Sequence, residues 1–121
     1  MESIDIQAFT YEHRQALLDD LTTVVCNCGG WIVDRKPLSP TNMEFHIEVQ
    51  LRAILDLYAG ILGTGVELTR PGHENLTELC TRRKYRRITA VLGQIVSLRL
   101  EINFVDDSTL HSLLSSDTNI S

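Results

Sequence analysis

Val96-Ser97-Leu98-Arg99-Leu100-Glu101-Ile102-Asn103-Phe104 alternates without a break: every second side chain is apolar, and the ones between are polar or charged. Successive side chains of a pleated strand point to opposite faces, so this pattern predicts a strand with one face on a core and the other open. It is the clearest strand in the chain. It is expected as a fifth strand, added to a sheet built by earlier residues.

Working outward, Met43, Phe45, Ile47 and Val49 alternate with Glu44, His46 and Glu48, which predicts another strand. Ile4, Ile6 and Ala8 alternate with Asp5 and Gln7, giving a strand over 3–9. Thr10 stands where it can cap a helix whose apolar residues Leu17, Leu21, Val24, Val25 and Cys28 recur at helical spacing. Gly29-Gly30 stops that helix. Trp31-Ile32-Val33 starts a strand that runs out at Pro37-Leu38-Ser39-Pro40, because proline cannot donate inside a paired strand. A second helix carries the stripe Leu51, Ile54, Leu55, Tyr58 and Leu62 and ends at Gly63-Thr64-Gly65. Val66-Glu67-Leu68-Thr69 is a short strand. The order βαββαβ predicts an α+β fold of the ferredoxin-like, split βαβ kind, with two helices on one face of an antiparallel sheet. The other face then carries Asp5, Gln7, Glu44, His46, Glu48 and Glu67 and is open to water or a partner.

Residues from about 70 form an added helix and strand. Arg70-Pro71-Gly72 reads as a break, and Asn75 with Glu78 as a capping-box-like start. Leu76, Leu79 and Cys80 open an apolar stripe, continued after a basic run by Ile88, Val91, Leu92 and Ile95. A hairpin turning at Gly93-Gln94 is the alternative to a helix over 84–95. Residues 1–105 are expected to make one domain, and the polar stretch 106–121 a flexible tail.

The chain has 121 residues, a formal net charge of -5, 43% hydrophobic and 22% charged residues. That is one soluble domain, long enough to bury a core without disulfides or metal. The start MESIDIQAFT has no basic region or apolar core, so no secretory signal is expected, and no apolar run reaches membrane-spanning length. With three cysteines in no disulfide or redox spacing, a cytoplasmic protein is expected, and the sequon Asn75-Leu76-Thr77 has no role there. Cys26-Asn27-Cys28 offers two thiolates but no second pair completes a tetrahedral site, so no metal is expected. Gly60-Ile61-Leu62-Gly63-Thr64-Gly65 follows a helix and lacks the Lys-Ser/Thr end of a phosphate loop; no cofactor is expected. No residue is singled out as catalytic.

Thr81-Arg82-Arg83-Lys84-Tyr85-Arg86-Arg87 holds five of the eleven Lys and Arg residues. On a helix, Arg83 and Arg87 follow Leu76, Leu79 and Cys80 around the axis, while Tyr85 faces away. Arg82, Arg83, Arg86 and Arg87 must therefore reach water, carboxylates or an anionic partner, since unpaired buried charge is costly. Nucleic acid is disfavoured, because the remaining chain is acidic and the open sheet face lacks the aromatics that stack bases.

Residues 4–69 resemble an ACT domain, the small βαββαβ regulatory module. His13-Arg14-Gln15-Ala16-Leu17-Leu18 is similar to the Asp-Arg-Pro-Gly-Leu-Leu type of turn opening that family's first helix, and Cys28-Gly29-Gly30-Trp31-Ile32 to the Gly-x-Asn-Ile ending that leads into its second strand. The resemblance implies a non-enzymatic module that acts as a homodimer and senses a small carboxylate or amino acid. It places ligand contacts at His13, Arg14, Ala16, Leu17 and Trp31, with backbone N–H groups of Ala16 and Leu17 receiving a carboxylate. Ala16 stands where the family has its turn glycine, His13 at its aspartate and Gln15 at its proline. Two other readings are an assembly module that docks the basic helix on an acidic partner, and a small enzyme using His46 or His73 with a nearby glutamate.

Overall fold

The computed structural model describes residues 2–85 and 93–105, with side chains over 4–81 and 93–105. In chain order its elements are β1 (Glu2–Thr10), α1 (Arg14–Asn27), β2 (Trp31–Pro37), β3 (Asn42–Gln50), α2 (Ile54–Gly63), β4 (Val66–Leu68), α3 (Arg70–Tyr85) and β5 (Ile95–Phe104). A short 3-10 turn at Leu51–Ala53 leads into α2. Among the described residues the fold is α+β: a five-stranded sheet in the order β2-β3-β5-β1-β4, with three helices.

The position of β5 corrects the sequence reading. It does not extend the sheet at its margin. It lies in the middle, parallel to β1 and antiparallel to β3, so the sheet is mixed and not purely antiparallel. The strand order therefore differs from the split βαβ arrangement, in which β1 and β3 would be neighbours. Val96, Leu98, Leu100, Ile102 and Phe104 are each at most 2% exposed, packed in the core the helices share.

All three helices feed one core. Leu17, Leu21 and Val25 of α1, Ile54, Leu57 and Ile61 of α2, and Leu76 and Leu79 of α3 join Ile6, Ala8, Phe45, Ile47, Val49 and the apolar side of β5. The helices thus cover one face of the sheet, and α2 packs between α1 and α3. The apolar stripe of α2 differs in phase from the expected one. Leu57 and Ile61 are buried, whereas Leu55 and Leu62 are 48% and 39% exposed. This helix is apolar nearly all round, so periodicity alone did not fix its inward side.

Local chemistry sets the boundaries. Thr10 does not cap α1; its buried hydroxyl donates to Gly65 O at 3.0 Å and accepts Glu12 N–H at 3.1 Å. His13 takes the capping position with extended backbone and no side-chain bond. At the other end Gly29 N–H donates to Cys26 O and Gly30 N–H to Val25 O, both at 3.0 Å, with Gly29 at φ 74°. These two bonds close a Schellman motif, as Gly29-Gly30 predicts. Arg70-Pro71-Gly72 does not break the chain but forms the first turn of α3. Thr69 caps it, accepting Gly72 N–H on its hydroxyl at 3.3 Å. Proline is tolerated there because first-turn N–H groups have no partner within the helix. Residues 86–92, where a helix and a hairpin were the alternatives, and the segment 106–121 lie outside the described residues.

Candidate functional site

The face without helices is a polar grid set by strand register. Asp34, His46, Arg99 and Asp5 stand opposite one another in a row across β2, β3, β5 and β1. The adjacent row is Lys36, Glu44, Glu101 and Gln7. Glu44 and Glu101 are therefore directly opposed, an arrangement of like charges that destabilises a sheet unless something compensates. Arg99 Nε lies 3.0 Å from Glu44 Oε1 and 3.8 Å from Asp5 Oδ1. Asn42 Nδ2 donates to Glu101 Oε2 at 2.9 Å. Each glutamate thus has its own partner.

Arg99 is the hub of this grid. Its Nε–H also donates to His46 Nε2 at 3.1 Å. Arginine has no acceptor, so His46 must accept on Nε2 and carry its proton on Nδ1. Among the described residues the printed contacts of the guanidinium, to His46, Glu44 and Asp5, all run through Nε. Two recesses flank it. One, of about 240 Å³, is lined by Asp34, Lys36, Glu44, His46 and Arg99. The other, of about 220 Å³, is lined by Asp5, Ile6, Gln7, Glu44, Arg99 and Glu101.

The residues singled out from the sequence are dispersed. His13 and Ala16 are exposed at the start of α1, and Leu17 is fully buried beneath them. Leu17 N–H already bonds His13 O at 3.0 Å within the helix. Arg14 donates from Nη2 to Pro40 O at 2.6 Å and lies over the Phe104 ring, 4.6 Å from its centroid. It ties the helix start to the turn before β3 and to the end of β5. Trp31 follows the opposite end of α1, about 20 Å away by helix rise. It is 46% exposed, beside the groove of about 550 Å³ that Thr22 and Cys26 form with Trp31–Arg35. Arg82 and Arg83 fall in α3, but their side chains, and Arg86 and Arg87 altogether, lie outside the described residues.

His73 Nδ1 pairs with Tyr58 OH at 2.5 Å, which joins α3 to α2. His46 and His73 are thus on different faces of the sheet, each with a polar partner. Burial, and secondarily the charge of Asp56, pushes the Cys28 thiol above its ordinary ionisation range, so it behaves as a packing residue. Among the described residues no group of three His, Cys, Asp or Glu side chains is placed to hold a metal, and no helix is long and apolar enough to cross a membrane.

The sequence marked Arg99 only as a polar member of an alternating strand. Its role as hub depends on which strands flank β5, and alternation does not encode that. Comparison with family models, curated proteins and solved structures finds no match to the chain.

Proposed function

We propose that this chain is a non-enzymatic regulatory module, ACT-like and of ferredoxin-like descent, that works as a homodimer and senses a small carboxylate or amino acid. The observation that carries the reading is the recess at Arg99. Its lining combines Arg99 and Lys36 with Asp34 and Glu44, two cations with two carboxylates. A lining of zero formal charge that presents both signs suits a ligand that carries both, and it suits a plain anion poorly. The ligand carboxylate pairs with the Arg99 guanidinium, and the ligand ammonium with Asp34. A volume of about 240 Å³ equals that of about eight liquid waters at about 30 Å³ each, the size of a small amino acid. Two further features support the reading. Leaving β5 aside, the remaining order β2-β3-β1-β4 is that of the split βαβ module. The α1 start offers less to a ligand, because Leu17 N–H and Arg14 already have partners inside the chain.

The test is calorimetric titration of the protein with glycine, serine and glutamate, beside acetate and ethylamine as single-charge controls. The reading expects heat from one or more amino acids and none from either control. Arg99→Met and Lys36→Met should each weaken that binding about tenfold. Light scattering on the same samples should give twice the chain mass. A silent titration with every amino acid would remove the sensing role, and a monomer at all concentrations would remove the dimer.

A further inference from the structure

Histidine is the side chain whose charge changes between about pH 5 and 8, and His46 lines the recess at Arg99. Charged neighbours reach it from both flanking strands. On β2, Asp34 stands opposite His46, and Lys36 lies one pleat further on. On β5, Arg99 stands opposite it, and Glu101 lies one pleat further on. Along β3 itself, Glu44 and Glu48 lie two residues to either side. The neutral ring accepts Arg99 Nε–H on Nε2 at 3.1 Å, and Glu44 Oε1 stands 3.9 Å from the same nitrogen. A proton on Nε2 reverses both relations. The ring then has only donors, so the bond from Arg99 is lost, and two cations stand side by side. Glu44, which meets Arg99 Nε at 3.0 Å, gains a second cation that competes for it. Only 19% of the Glu44 side chain is exposed, so water screens this competition less than at an open surface.

We propose that His46 is a proton switch of this recess, which turns a site for zwitterions into a site for plain carboxylate anions. The inference rests on the ligand reading of the recess and adds its regulation. With the ring neutral, Arg99 and Lys36 balance Asp34 and Glu44, and the lining has zero formal charge. With the ring protonated, the same lining carries one positive charge. Arg99 also loses an acceptor and shares Glu44, so its donors turn to whatever anion occupies the recess. The direction follows from linkage: a bound anion and a bound proton favour each other, so anion binding tightens as pH falls through the imidazole range. A zwitterion gains less, because its ammonium meets the imidazolium as well.

The experiment is calorimetric titration of the full chain with sodium acetate at about pH 5.5 and about pH 8, beside His46→Gln. The glutamine oxygen still accepts from Arg99 but takes up no proton in this range. In the natural chain acetate, silent at the higher pH, should bind at the lower one, a gain of at least about tenfold. In His46→Gln the gain should vanish. A second readout needs no ligand. The Arg99 Nε–H signal in proton–nitrogen correlation NMR, assigned by its absence from Arg99→Lys, should move between the two pH values in the natural chain. It should hold still in His46→Gln. No gain for acetate at the lower pH would overturn the proposal, and so would an Arg99 signal that moves equally in both proteins. Silence toward every amino acid at the higher pH would instead remove the sensing role, while the acetate and Arg99 readouts still decide the switch.

Discussion

Arg99 sits in the middle of a bare sheet face, where a charged side chain ordinarily contributes little. Surface ion pairs are worth about 0.2–1 kcal/mol, and Arg99 is half exposed. Its position changes the balance, because it neutralises Glu44, which stands directly opposite Glu101. Replacing it with methionine keeps the stem and removes the charge, leaving the two glutamates facing across β3 and β5. Arg99→Met should cost roughly 1 kcal/mol in urea unfolding, at the upper end for a surface pair. Adding Glu44→Gln should restore most of that loss, since the repulsion then has one member. The coupling should also shrink in 1 M salt, where screening reaches about 3 Å. A double-mutant cycle that gives additive losses would show that the two residues do not communicate. None of this was visible at the level of the residue itself. The sequence marks Arg99 as outward facing, but its neighbours come from strands more than forty residues away in the chain.

At the scale of the element, local chemistry was legible where a single rule dominated. Gly29-Gly30 ends α1 because only glycine takes the left-handed turn without cost, and β3 and β5 follow their alternation to within a residue or two. Two elements resisted, each for a definite reason. The inward side of α2 was ambiguous because apolar residues surround it. The start of α3 was missed because proline and glycine together read as a break, although a helix tolerates both in its first turn once Thr69 caps it. The Gly30 position carries a further consequence at this scale. A Cβ there would lie 2.6 Å from Glu48 O and 3.2 Å from Val49 Cβ, so the start of β2 is pressed against backbone of β3. Gly30→Ala should therefore destabilise by about 2 kcal/mol, because the obstructing atom is a carbonyl that cannot turn aside. Gly63→Ala, where nothing lies within 4 Å, serves as the control and should be neutral or slightly stabilising. Equal effects at the two sites, measured by urea unfolding, would mean that β2 can shift outward at no cost.

For the whole molecule, the order of strands matters more than their number. Residues 4–69, whose pattern alone predicts a βαββαβ unit, contain β1, α1, β2, β3, α2 and β4, but in this sheet β1 and β3 do not touch. β5 lies between them and pairs with both along nearly its whole length. It also brings five buried apolar side chains to the core, each worth about 1.5–3 kcal/mol of burial relative to exposure. A domain of this size has a net stability of only about 5–15 kcal/mol, so no part of it can lose that much and persist. The seam is also non-local: Ile4 pairs with Leu98 across most of the chain. A fragment of residues 1–69 should therefore remain unfolded, with far-UV circular dichroism of a coil and collapsed amide dispersion in NMR. The alternative is that β1 and β3 close the gap and pair directly, which would give a four-stranded sheet with cooperative unfolding. That outcome would show that β5 wedges into a sheet already able to form without it. A coil-like fragment, together with an unfolded Leu98→Asp full-length chain, would show that the sheet exists only once its last strand is in place.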